Sequence, residues 1–150
     1  MNKIILVLVV VLFTSCAANT SFNSFYQDHE RDSEFSFGLS SSLIASFLPD
    51  EDIQDLKPLL KKAKHIRILV FSEYAEDKTE QFDAFINRSK FERMIKLKSK
   101  NDRVSFFTLQ KRDNIKEIVL EVSSSSNLVL IGLKTNLSRE ELEKIIDSDV

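Results

Sequence analysis

The sequence predicts an α+β fold: one small domain with a roughly four-stranded, largely antiparallel sheet packed by helices, after a cleaved signal peptide and a flexible tether. Three observations carry that prediction. Apolar runs with two-residue alternation follow one another through the second half of the chain, joined by connections so short that neighbours must be antiparallel. Other segments place apolar residues at three- and four-residue steps, the spacing of one helix face. A chain of 150 residues, 43% hydrophobic and 29% charged, has the composition of one compact domain.

At the amino end, Lys3 precedes an unbroken apolar run from Ile4 to Phe13, which ends in Thr14-Ser15-Cys16. A permanent membrane span needs about 20 apolar residues, roughly twice this run, so residues 1–15 are expected to direct export and be cut away. Leu12-Phe13-Thr14-Ser15-Cys16 resembles the lipobox of bacterial lipoproteins, in which the cysteine thiol receives a thioether-linked diacylglycerol. It departs from that pattern in carrying Phe13 three residues before the cysteine, where Leu is usual. The alternative is a cut after Ala18, which would release a chain with no cysteine. Cys16 is the only cysteine, so it cannot form an internal disulfide, and lipid attachment supplies a role for it. More than one acyl chain holds a protein stably where a single chain is marginal. Ala17 stands where aspartate would favour inner-membrane retention in lipoproteins of this type, so the outer membrane is the expected address, on its periplasmic face. Loss of Lys3 leaves 20 basic against 23 acidic side chains, giving no overall attraction for nucleic acid.

Residues 16–34, polar with Phe22, Phe25 and Tyr26 as the large apolar groups, are expected to be the lipidated cysteine and a coil tether, with an r.m.s. reach of about 20 to 25 Å. The other reading docks Phe22 and Phe25 on the domain as an ordered arm. The domain is expected over residues 35–150. Leu39, Leu43, Ile44, Phe47 and Leu48 predict a helix stopped by Pro49. Ile53, Leu56, Leu59, Leu60 and Ala63 predict another, in which Pro58 either makes a kink or lies in the first turn. His65 to Ser72 predicts a strand with apolar residues on both sides, hence an interior one. Thr79 is expected to cap a helix bearing Phe82, Phe85 and Ile86. Ser89 with Glu92 has capping-box spacing and predicts a helix bearing Phe91, Met94 and Ile95. Strands follow at about Val104 to Gln110, Ile115 to Val122 and Leu128 to Leu133, and a capping box at Ser138 and Glu141 opens a closing helix. If all helices shared one face, Leu69, Phe71 and their neighbours would be wet; the Leu39 to Leu48 helix is expected to cover them, with a partner or a second copy as the alternative.

Candidate chemistry is thin. Asp50, Asp52 and Asp55 lack the glycine and the twelfth-position glutamate of an EF-hand loop, with Asp55 and Lys61 standing there, and read as favourable charge at a helix start. His29 and His65 cannot make a zinc site with scattered carboxylates. No nucleophile elbow exists, and Ser123 to Ser126 reads as a loop. The cationic stretch from Arg88 to Arg103 reads as a solvated face, with anionic lipid headgroups as the alternative target. No catalytic residue, metal or cofactor is expected.

The lipobox, the polar tether, the passage from Leu59 through His65 to Phe71 and the Asn127 to Leu133 strand leading into a capped helix together resemble a family of small lipoproteins carrying a domain of unknown function, common in Bacteroidetes-type bacteria. The likeness covers roughly Phe35 to Ile146. It implies an envelope lipoprotein, brings no catalytic residues, and makes an envelope-stress role conceivable. The function expected first is a noncatalytic interaction or scaffold module anchored through Cys16, with the membrane and an envelope protein as partners and a homodimer left open. A binder of a small apolar ligand or lipid, suggested by the phenylalanine content, comes second, and an enzyme third.

Overall fold

The structure is a computed structural model that describes residues 21–40, 43, 57–99 and 101–147. Among these residues ten elements follow in order: α1 (Phe22–His29), β1 (Phe35–Ser40), α2 (Lys57–Lys62), β2 (His65–Phe71), α3 (Ala75–Arg88), β3 (Glu92–Ser99), β4 (Asp102–Lys111), β5 (Asn114–Ser123), β6 (Leu128–Ser138) and α4 (Arg139–Asp147). The α+β class holds, but the sheet has six strands, not four, in the order β1-β2-β6-β5-β4-β3. Every neighbouring pair is antiparallel.

Helices cover both faces. One face carries Leu69, Phe107, Val119, Leu128 and Leu130 under Phe22 and Phe25 of α1 and Phe82, Phe85 and Ile86 of α3. The other carries Ile66, Ile118, Leu133 and Leu137 under Leu59 of α2 and Leu142 of α4. Two-sided cover explains why β2 is apolar on both sides: as an interior strand it faces a helix layer each way.

Four expectations are corrected. The tether reading fails from residue 22, because Phe22 and Phe25 are only 3% and 2% exposed and α1 covers the face that a Leu39 to Leu48 helix was expected to shield. Leu39 belongs to β1, opposite Ile66; the rest of that helix, apart from Leu43, lies outside the described residues, as do Pro49, the aspartates from Asp50 to Asp55, Cys16 and the whole signal segment. The Ser89 and Glu92 pair opens no helix. Ser89 ends α3 instead, its backbone N–H donating to Ile86 O and Phe85 O and its hydroxyl to Ile86 O at 2.8 Å. Glu92 then starts β3, whose Ile95, Lys96, Leu97, Lys98 alternation has a two-residue period. Thr79 lies inside α3, where its hydroxyl donates to Ala75 O at 2.8 Å. The helix begins earlier, behind Tyr74 at φ 56, with Glu76 and Asp77 in the first turn meeting its positive end.

The closing capping box forms as expected: Glu141 N–H donates to Ser138 Oγ at 3.1 Å and Ser138 N–H to Glu141 Oε2 at 2.9 Å. Pro58 is the second residue of α2, whose preceding residues lie outside the described set.

Candidate functional site

Gly132 decides where α1 sits. A Cβ built there would lie 2.1 Å from Phe22 Cδ1, so only glycine lets the ring rest flat on the middle of the sheet. The ring of Phe25 packs edge-on to Phe82 at 5.4 Å and tilted on Phe85 at 5.2 Å, closing the layer between α1 and α3. At the start of α1, Glu117 of β5 accepts from Phe22 N–H at 2.8 Å, a carboxylate meeting an unsatisfied helix donor. Burial raises the Glu117 pKa, with the Phe22 N–H, Lys134 and Arg67 pulling the other way.

Beside that contact lies a shallow cleft of about 170 Å³ lined by Asn23, His65, Arg67, Glu117, Gly132 and Lys134 among others. The Arg67 guanidinium sits 5.5 Å above the Tyr26 ring. This cleft lies beside the start of α1. A second cleft, of about 270 Å³, is lined by Asp32, Ser33, Glu34, Phe71, Ser72 and Glu73 at the opposite end of the sheet. There Lys78 pairs with Asp32 at 3.0 Å and, by hydrogen bond first and charge second, holds its carboxyl below the ordinary range. Ser72 donates to Glu34.

A third polar group is buried. Arg103 bridges Glu121, which is fully buried, and Asp83 of α3, with Arg103 Nη2 3.1 Å from Asp83 Oδ1. Burial opposes the guanidinium charge, but Glu121 and Asp83 outweigh it and raise its pKa. Glu121 Oε2 and its cross-strand neighbour's Ser105 Oγ are buried without a protein partner. The cluster ties α3 to the sheet.

The residues weighed in the sequence fall in separate places. His29 lies in α1, its ring stacked on Phe25 at 4.0 Å with its nitrogens 2.9 Å from Phe25 O and from Gln81 Oε1, a packing role. His65 is the exposed first residue of β2 and lines the cleft by α1. The Arg88 to Arg103 stretch is dispersed: Arg103 turns inward, Arg93 lies 5.0 Å over the Phe107 ring, and Arg88, Lys90, Lys96 and Lys98 are exposed. Ser123 is buried in β5, and Ser124 Oγ accepts from the Ser126 and Asn127 N–H groups, the turn role expected of that run. Among the described residues no three His, Cys, Asp or Glu side chains are grouped to hold a metal. Among them, too, no helix is long and apolar enough to cross a membrane. The docking of α1 follows the ordered-arm alternative for Phe22 and Phe25 rather than the tether; its helical form is what sequence reasoning missed, and the Phe22, Phe25, Tyr26 and His29 spacing was the signal.

No curated protein and no solved structure is significantly similar to this chain. A family model does match, over residues 26–145, and its reach from within α1 to α4 contains every strand of the sheet. The chain belongs to the family of the domain of unknown function DUF4252.

Proposed function

We propose that this chain is an envelope lipoprotein anchored through an acylated Cys16, with its folded domain a noncatalytic interaction module on the periplasmic side of the outer membrane. The Leu12 to Cys16 segment supports the anchor. The observation that carries the module reading is on β1, an edge strand among the described residues: there Phe35 and Phe37 are 52% and 38% exposed, their rings stacked with centroids 6.1 Å apart. An edge strand offers unpaired backbone groups, and large apolar side chains beside them give a partner strand both hydrogen bonds and an apolar footing. Exposed aromatics on an edge are otherwise a liability to aggregation.

The test places a photocrosslinking residue at Phe37 in living cells. The same envelope protein should be captured repeatedly and be lost when Phe35→Ser is added without unfolding the domain. Capture of abundant bystanders alone, unchanged by Phe35→Ser, would sink the module reading. An unacylated mature start at Asn19, read by mass spectrometry, would sink the anchor.

A further inference from the structure

Strand register sorts the charges into two ends. At one end lie the pairs His65 with Lys134, Asn114 with Ser138, and Glu92 with Thr108. At the other lie Phe35 with Val70, Phe71 with Leu128, and Arg103 with Ser123. The first end carries exposed Lys64 before β2, Arg88 closing α3 and Lys90 after it, and Lys111 and Arg112 where β4 turns into β5; Lys134 of β6 is exposed there too. Of the acids at that end, Glu92 pairs with Arg139 at 3.5 Å, Glu141 with Lys62 at 3.3 Å and Glu140 with Lys144 at 2.9 Å, Glu117 faces the start of α1, and Asp113 is exposed. The opposite end exposes Asp32, Glu34, Glu73, Glu76, Asp77 and Asp102, with Arg31 and Lys98 as exposed cations. A protein slightly negative overall is therefore strongly polarised.

The leash sharpens the point. With α1 docked from Phe22, five residues lie between its start and Cys16, six backbone steps that span at most about 22 Å. From Gly132, under Phe22, to Ser138 at the basic end is also six steps, about 20 Å of strand. In an anchored chain the leash therefore holds the start of α1 within about 22 Å of the lipidated residue, near enough for headgroups to meet a surface of the domain. Charge then selects which one.

We propose that the basic end of the sheet, around Lys64, Lys111, Arg112 and Lys134, lies against anionic phospholipid headgroups, leaving the acidic end and the β1 aromatics turned toward the envelope interior. The close approach rests on the anchored reading above; the charge preference does not. Each lysine near an anionic surface strengthens membrane partition about fivefold, an effect that rising salt screens.

The test uses the full chain purified from cells, with mass spectrometry reporting acylation of Cys16 separately. Fluorophores are placed by Asn136→Cys at the basic end or Glu73→Cys at the acidic end. The protein is reconstituted in phosphatidylcholine vesicles with or without phosphatidylglycerol, with a quencher on the headgroups. Quenching should be several-fold greater at position 136 than at 73 in anionic vesicles. The difference should vanish in high salt or with Lys64→Gln and Lys134→Gln together, and survive the control Lys98→Gln. With Cys16 acylated, equal quenching at both ends, or stronger quenching at 73, overturns the surface and leaves the anchor standing. If Cys16 proves unacylated, the anchor reading fails, and the surface then requires partition onto anionic over neutral vesicles, weakened about fivefold by each of the two lysine substitutions. Absence of that preference overturns it as well.

Discussion

Replacing Gly132 with alanine tests the docking of α1, on which the proposed short leash depends. The new Cβ would lie 2.1, 2.4 and 3.0 Å from Phe22 Cδ1, Cε1 and Cγ, where carbon contacts settle at about 3.5 to 4.0 Å. The sheet cannot yield, because Gly132 is in an interior strand opposite Arg67 on one side and Val119 on the other. The ring must therefore move by about 1.5 Å. Overpacking of this kind costs about 1 to 3 kcal/mol, and the cost of losing the ring from its site altogether, about 3 to 5 kcal/mol, sets the ceiling. About 2 kcal/mol is expected, a fall in Tm of about 8 °C for a domain of this size. Urea denaturation of Gly132→Ala, Phe22→Ala and the double variant supplies a cycle. Phe22→Ala alone should cost about 3 to 5 kcal/mol, and in that background the Gly132 substitution should be nearly neutral, because the Cβ then meets space. Equal cost of Gly132→Ala in both backgrounds would refute the docking. Release of α1 would also return residues 16–34 to a coil of about 23 Å r.m.s. reach, so the end-selective quenching should weaken in parallel.

Other expectations follow from buried and capping groups. Arg103→Met leaves Glu121 fully buried without its cation and should cost about 3 to 5 kcal/mol, much of it recovered by adding Glu121→Gln; chemical denaturation of both variants checks this. The Glu117 pKa is raised above its ordinary 4.5, so its stabilising contribution is complete below pH 4.5 and is lost as pH rises through the folded-state value. Glu117→Gln, which still accepts from Phe22 N–H, should accordingly match or exceed the parent at neutral pH and lose that advantage in acid, as read from urea midpoints across the range. Ser138→Ala should lower stability by about 1 kcal/mol. Glu141 has the opposite pH sign to Glu117: the Ser138 N–H first and Lys62 next lower its pKa, so its contribution is present above 4.5 and lost as pH falls through the lowered value.

Much of the sheet was legible because β4, β5 and β6 carry their own two-residue pattern and short connections. The capping box at Ser138 was legible because both of its hydrogen bonds join residues three apart. Ser89 and Glu92 show the limit of that signature. The same spacing fits a helix end followed by a strand, and what decided between them was the pairing of Ile95 with Phe106 and Leu97 with Val104, invisible until β4 is beside β3. For the candidate site, the cations were visible as residues, but not their gathering at one end, since Lys64, Arg88, Lys111 and Lys134 are brought together by strand direction alone.

By itself the sequence determined the α+β class, the interior position of β2, the turn at Ser124 and the closing helix, all consequences of local periodicity or of hydrogen bonds between near neighbours. Tertiary structure alone decided that Phe22 and Phe25 belong to the core, that Arg103 turns inward, and that the chain has a basic and an acidic end. The reason is physical: burial of α1 needs a glycine 110 residues away at the middle of β6 to make room for a ring, and contacts between residues so distant in the chain leave no periodic trace in either segment.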